Sequence, residues 1–255
     1  MSWRVIRLDL AYEGTDFHGF APQPGLRTVA GELALVLRRV TGEDVPVTAA
    51  GRTDAGVHAM GQVVSFQTQS SIGLPELKGA LNALTGPDLL VHGISDADSS
   101  FDARRSALSR SYEYRVWNAP QPDLWERRRT THVVESLDVA AMCAACDLLV
   151  GRHDFRAFYT HQAQDDLAKN TVCSVCEARW ERDPQEPRLV RFSIEADAFL
   201  RYMVRTIVGS SLLVGSGRLA PEALGEMLQH RERTQAGPTA PAHGLALLSV
   251  RYPED

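Results

Sequence analysis

Ile6, Leu8 and Leu10 alternate with Arg7 and Asp9, so residues 4–10 carry one apolar face at period two, the mark of a half-buried strand. After the turn Glu13-Gly14-Thr15-Asp16 the period changes: Val29, Leu33, Val36, Leu37 and Val40 share a helical face between Thr28, suited to the N-cap, and Gly42, suited to closing the helix. The same mixture continues with a strand over 62–68 and a helix over 75–84, then a strand over 112–117 and a helix over 137–150 after Ser136. Strands near 172–180 and 189–196, helices over 201–214 and 221–230, and a final strand over 245–252 complete it. Strand pairs set among helices, without strict βαβ alternation, specify an α+β fold of mostly antiparallel sheet with helices on one face. A length of 255 residues fits two such halves, 1–105 and 106–255, joined around 95–110, with a single continuous sheet as the other arrangement.

Several classes are excluded. An apolar fraction of 44% and a charged fraction of 23% argue against disorder, collagen-like repeats and coiled coil. The opening Met1-Ser2-Trp3-Arg4-Val5-Ile6-Arg7 interrupts any apolar signal core, and no run approaches the roughly 20 apolar residues that span a bilayer. Four cysteines in so long a chain argue against a disulfide scaffold and make a reducing cytoplasm the default.

A net charge of −5 speaks against a nucleic-acid partner, but the charge is unevenly spread. Residues 101–130 hold seven arginines (Arg104, Arg105, Arg110, Arg115, Arg127, Arg128, Arg129) against four acids, a local +3 that leaves −8 for the rest. Lys78 and Lys169 are the only lysines, so the positive charge is nearly all guanidinium, suited to bidentate phosphate contacts and stacking.

The densest candidate for chemistry is Ala49-Ala50-Gly51-Arg52-Thr53-Asp54-Ala55-Gly56-Val57-His58-Ala59-Met60-Gly61-Gln62. Its glycines let the backbone turn sharply while Arg52 and Asp54 project from it, and the spacing fits neither a dinucleotide fingerprint nor a P-loop. Alone, it also fits a tight turn capped by its own aspartate.

The stretch resembles the signature of the TruA family of tRNA pseudouridine synthases, and further matches follow in the same order. They are Tyr12-Glu13-Gly14-Thr15-Asp16-Phe17-His18-Gly19, Leu81-Asn82-Ala83-Leu84, Phe101-Asp102-Ala103-Arg104, and Arg110-Ser111-Tyr112-Glu113-Tyr114. Gly151-Arg152-His153-Asp154-Phe155, Met203-Val204-Arg205-Thr206-Ile207-Val208-Gly209 and the segment from Ala236 to Leu245 complete the series. Departures are Gly19-Phe20-Ala21-Pro22-Gln23 where the family has Gly-Trp-Gln-x-Gln, Asp102 where His is common, and Arg105 where Phe is common. They bear on RNA contacts rather than on the chemical core.

The resemblance implies a pseudouridine synthase fold with its active-site cleft between the halves, and isomerisation of uridine to pseudouridine in tRNA. The N1–C1′ bond is cleaved, the uracil turns, and C5 joins C1′, with no cofactor or energy source implied. It makes Asp54 the catalytic aspartate, attacking C6 or C1′ or abstracting the 2′ proton; a carboxylate suits all three because it is ionised near neutral pH. Arg205 becomes its ion-pair partner, keeping it charged where burial would raise its pKa. Tyr112, as the family's active-site tyrosine, is expected to act in catalysis by stacking on the target base and assisting a proton transfer, Arg52 to enter the RNA when the uridine is flipped, and Leu245 to pack against the uracil. Arg104 and Arg110 would join the basic cleft. The family works as a homodimer on the anticodon stem-loop, at tRNA positions 38, 39 and 40, without membrane or small-molecule cofactor.

Cys143-x-x-Cys146 and Cys173-x-x-Cys176 offer a rival, a zinc-stabilised RNA-binding protein without catalysis. Against it, the pairs are separated by more residues than a zinc ribbon has. Cys143 and Cys146 join Val139, Met142, Leu149 and Val150 on one apolar helical face, and Cys173 and Cys176 point to opposite faces of a strand. No metal ligand set is therefore expected.

Overall fold

The alternation in the first segment is realised in β1 (Arg4–Tyr12), where Ile6, Leu8 and Leu10 are fully buried. The computed structural model describes residues 3–161 and 170–253; Met1, Ser2, Lys169, Glu254 and Asp255 lie outside them. The chain divides into two compact units, Met1–Arg110 with Ala246–Asp255, and Ser111–Leu245.

In the first unit, β1 pairs antiparallel with β3 (His58–Thr68) on one side and with β4 (Leu89–Ala97) on the other, Leu8 lying opposite Val64 and Ile94. The short β2 (Thr48–Ala49) pairs with β3, and the chain returns at its end to lay Ala246 and Leu247 of β10 (Leu245–Arg251) parallel against His58 and Ala59. Two helices, α1 (Val29–Thr41) and α2 (Leu74–Leu84), pack on each other and carry Leu33, Leu37, Leu77 and Leu81 into the core. Burying such a leucine stabilises by about 1.5–3 kcal/mol relative to leaving it in water. The ends of α1 are those expected: the Thr28 hydroxyl accepts from Gly31 N, and Gly42 closes the helix at φ +75°.

The second unit orders its strands β5 (Ser109–Asn118), β9 (Leu189–Ala196), β8 (Val172–Arg182) and β7 (Gly151–Asp154), with β6 (Thr131–Val133) parallel to β5. The β8–β9 ladder is antiparallel and sets Trp180 opposite Phe192, both buried. Among the described residues three α-helices belong here, α3 (Val139–Asp147), α4 (Met203–Gly215) and α5 (Ala223–His230). Along α4 a Cβ on Gly209 would collide with the Pro238 carbonyl, and the Gly237 amide donates to Ser210 Oγ at 2.9 Å. Small residues thus let the 237–240 segment lie directly on the helix.

Some expectations shift. The helix expected over 137–150 spans only Val139–Asp147, because Asp138 rather than Ser136 accepts from Ala141 N at 3.0 Å and fixes its start. The strand expected from Gln62 begins at His58, and the helices expected from Arg201 and Pro221 begin two residues later, at Met203 and Ala223. Strands β4, β6 and β7 were not expected from the sequence. The division at 105/106 keeps 245–252 with the second half, whereas Ala246–Asp255 cluster with the first unit because β10 extends the β3 edge.

Candidate active site

In the first unit, the loop bearing Asp54 is fixed from several directions. Its entry is tied by Ala50 N donating to Val63 O at 2.8 Å, and by Gln62, fully buried, whose Nε2 donates to Gly51 O at 2.7 Å and to the Tyr12 hydroxyl at 3.2 Å. The Tyr12 hydroxyl also meets Thr53 Oγ1 at 2.8 Å, and burial pushes its pKa up to about 12, so it stays a neutral phenol. Beyond Asp54, its own carbonyl accepts from Val57 N at 3.1 Å, and His58 Nδ1 accepts from Gly14 N at 3.0 Å.

The Gly14–Gly19 turn packs flush on this loop. A Cβ on Gly14 would overlap the Val57 carbonyl, and one on Gly19, at φ +88°, would stand 2.9 Å from Thr53 O and 3.2 Å from Ala55 N. Phe20 N donates to Thr53 O at 3.0 Å. The first-turn motif and the Asp54 motif, some 40 residues apart in sequence, are thus one structural piece. The departure at Gly19-Phe20 keeps this contact, with Phe20 buried.

The sequence-predicted residues of this unit separate by environment. Arg52 is exposed and Asp54 half-exposed, so both can be reached from solvent. Arg104 is exposed, and Asp102, standing where His is common, accepts the Arg104 and Arg105 amides at 2.9 and 2.8 Å and so shapes the turn. Arg110, expected at the RNA, is only 9% exposed. Its Nε and Nη2 donate to Ala50 O at 3.2 and 3.0 Å, Nη2 also to Arg104 O at 2.6 Å, and Nη1 to Ala107 O at 3.3 Å. A guanidinium satisfies three carbonyls at once because its five donors are fixed in a plane. Sequence reasoning missed this inward role, because arginine is ordinarily a surface residue.

In the second unit, Arg205 lies in the first turn of α4. Its Nε donates to Ala240 O at 2.7 Å while its own carbonyl accepts from Ala240 N at 3.0 Å. Tyr202 enters the helix at φ +63°, a costly conformation for an aromatic residue, and its ring centroid lies 5.0 Å from the Arg205 guanidinium. Arg205 also helps hold the His243 imidazole below its ordinary pKa, after burial as the larger cause. Tyr112, 7% exposed, meets Phe199 edge to face with centroids 5.0 Å apart. Tyr114 is turned into the core, its hydroxyl donating to Pro241 O at 2.9 Å and meeting Thr131 Oγ1 at 2.5 Å, a structural role. Leu245, buried, ends the unit.

The four cysteines have unlike surroundings. Cys143 Sγ donates to Trp180 O at 2.9 Å, Cys146 meets Ser211 Oγ at 3.4 Å, Cys173 is buried and Cys176 exposed. Among the described residues no group of three or more His, Cys, Asp or Glu side chains is placed to hold a metal ion, and no helix is long and apolar enough to cross a membrane.

Comparison with known proteins gives a consistent picture. A family model described as tRNA pseudouridine synthase matches residues 10–104 and 145–253. A tRNA pseudouridine synthase A of Chloroflexus aurantiacus is 44% identical over 252 residues, covering 98% of this chain and 89% of its own. Proteins of the same name from Geobacillus kaustophilus and Acetivibrio thermocellus are 41% and 36% identical, each over 98% of this chain, and over 95% and 100% of their own.

Proposed function

The chain belongs to the tRNA pseudouridine synthase family, an isomerase family acting on tRNA uridine, and we propose that Asp54 is its catalytic carboxylate. The substrate is the anticodon stem-loop, at tRNA positions 38, 39 and 40. The N1–C1′ bond breaks, the uracil turns, and C5 bonds to C1′; C5 loses its proton and N1 gains one, so substrate and product are isomers. A partly exposed aspartate on a loop held on both sides carries this reading, since Gly51 O is bonded by the buried Gln62, Thr53 O by Phe20 N and Gly56 N to Phe17 O.

The other residues have roles around that carboxylate. Arg205, anchored by its Nε bond to Ala240 O, is the ion-pair partner that keeps Asp54 ionised. Arg52, exposed two residues before Asp54, fills the space the flipped nucleotide leaves, and flipping is required because C5 and C1′ are inaccessible within a stacked pair. Tyr112 stacks on the flipped uracil, and Leu245 supplies an apolar wall. Arg104 contacts phosphate, and the protein works as a cytoplasmic homodimer, without a cofactor.

Release of tritium from C5-labelled uridine in anticodon-stem transcripts tests this directly. Wild-type protein is expected to release it, and Asp54→Ala to release none while still binding tRNA. If wild-type protein releases no tritium from any tRNA, the reading fails.

A further inference from the structure

The arginines of the basic segment do not share one fate. Arg110 is buried among carbonyls, and Arg115 is paired with Glu113 and Glu126, whereas Arg127, Arg128 and Arg129 are exposed in consecutive positions. Beside them Trp125 is 94% exposed and Leu124 70%. An indole left in water forgoes a burial worth a few kcal/mol, so it contributes nothing to holding this unit together.

The loop that presents it is nevertheless well built. Asp123 Oδ1 accepts from Trp125 N at 2.7 Å and from Glu126 N at 3.0 Å. The Glu126 carbonyl accepts from Arg129 N at 2.8 Å and from Thr130 Oγ1 at 3.0 Å, with Thr130 buried. The Glu126 carboxylate meets Arg115 Nη2 at 3.2 Å. Both acids of the loop thus take part in its own architecture, and the exposed residues it carries include an indole and three arginines. A surface shaped in advance pays little ordering entropy on binding.

We infer that residues 124–129 form a second tRNA contact, in which Trp125 stacks on an unpaired base and Arg127, Arg128 and Arg129 engage the phosphates around it. The inference rests on the tRNA reading above and extends it to RNA outside the flipped uridine. An aromatic platform flanked by arginines fits single-stranded or looped RNA, where bases are free to stack and phosphates are closely spaced. A second copy of the chain fits poorly, since a two-fold contact through this patch would set one arginine triplet against the other.

Equilibrium binding of a full-length tRNA transcript to the intact protein, across a salt series, tests this with Trp125→Ala, Trp125→Phe and the triple variant Arg127→Gln, Arg128→Gln, Arg129→Gln. Trp125→Ala is expected to weaken binding about fivefold or more, and Trp125→Phe to restore most of it. The triple variant is expected to reduce the slope of log K against log salt by about 2–3, one unit per lost phosphate contact. Unchanged affinity and slope, with unchanged thermal unfolding, overturn the inference. So does a change in molecular mass by light scattering without a change in salt slope, which would give the patch to a second copy. Wild-type tritium release is measured in parallel: its absence sinks the isomerase reading and leaves this binding comparison standing.

Discussion

The Arg110 guanidinium grips the carbonyl of Ala50 with two donors, Nε at 3.2 Å and Nη2 at 3.0 Å, four residues before Asp54. The same nitrogen Nη2 reaches Arg104 O, so one buried cation ties the approach to β5 onto the Asp54 loop.

Removing that grip has two expected effects. Arg110→Ala leaves three carbonyls without their charged donor and should lower stability to denaturant by about 2–4 kcal/mol. Arg110→Lys keeps the charge but not the fork, and should recover only part of it. In steady-state tritium release, kcat should fall while KM for tRNA holds, the signature of a positioning residue. A raised KM with unchanged kcat would instead mark Arg110 as an RNA contact.

Gly19 and Gly25 form a natural pair of controls. Both have left-handed backbone, φ +88° and +72°, but a Cβ at Gly25 meets nothing within 4 Å while one at Gly19 meets the backbone of Thr53 and Ala55. Each Ala variant carries the conformational cost of order 1 kcal/mol or more; only Gly19→Ala also displaces the Asp54 loop. Turnover should therefore drop at least tenfold in Gly19→Ala, about 1.4 kcal/mol of barrier, and stay near wild type in Gly25→Ala. Equal activity in the two would show that the contact does not govern Asp54.

How much of this was readable in advance divides along physical lines. β9 was legible to the residue, because Val190, Phe192, Ile194 and Ala196 alternate with polar or charged residues on a one-sided sheet. β4, at one end of the strand order, was not: its burial alternates only at the start, and Gly93 and Asp96 read as loop. Asp54 was visible as a projecting carboxylate but acquired a role only through the family resemblance. The burial of Arg110 had no local signal, since its carbonyl partners lie 3, 6 and 60 residues away.

His243 gives a pH dependence with a definite sign. Burial first, and then the Arg205 charge, depress its pKa in the folded protein, partly offset by its hydrogen bond to the Thr130 backbone. The folded state therefore binds the proton more weakly than the unfolded state does. Stability from this group is present above the ordinary value near 6.5 and is lost as pH falls from there through the depressed folded pKa. Thermal unfolding of wild type should fall faster than that of His243→Gln between neutral pH and pH of about 5. Parallel curves would remove His243 from the account.

The cysteines should react in a fixed order. Burial pushes the Cys146 thiol up to about 12 and Cys173 to about 11, whereas Cys176 is exposed. Thiolate is the reactive form, so a disulfide reagent at neutral pH should label Cys176 in native protein, and Cys146 and Cys173 only on unfolding. A metal chelator should leave the unfolding temperature unchanged. Destabilisation by chelation, with one zinc released per chain, would revive the metal-bound alternative.

The parallel pairing of Ala246 and Leu247 with His58 and Ala59 also bears on how the protein is made. Synthesis runs from the amino end, and domains generally fold as they emerge, yet the first unit lacks its closing strand until 135 further residues have followed Arg110. While the ribosome translates the second unit, the first waits with the His58–Ala59 end of β3 unpaired on one edge and open to other chains. A nascent chain stalled before residue 246 would carry the whole Asp54 loop and still be unfinished around it.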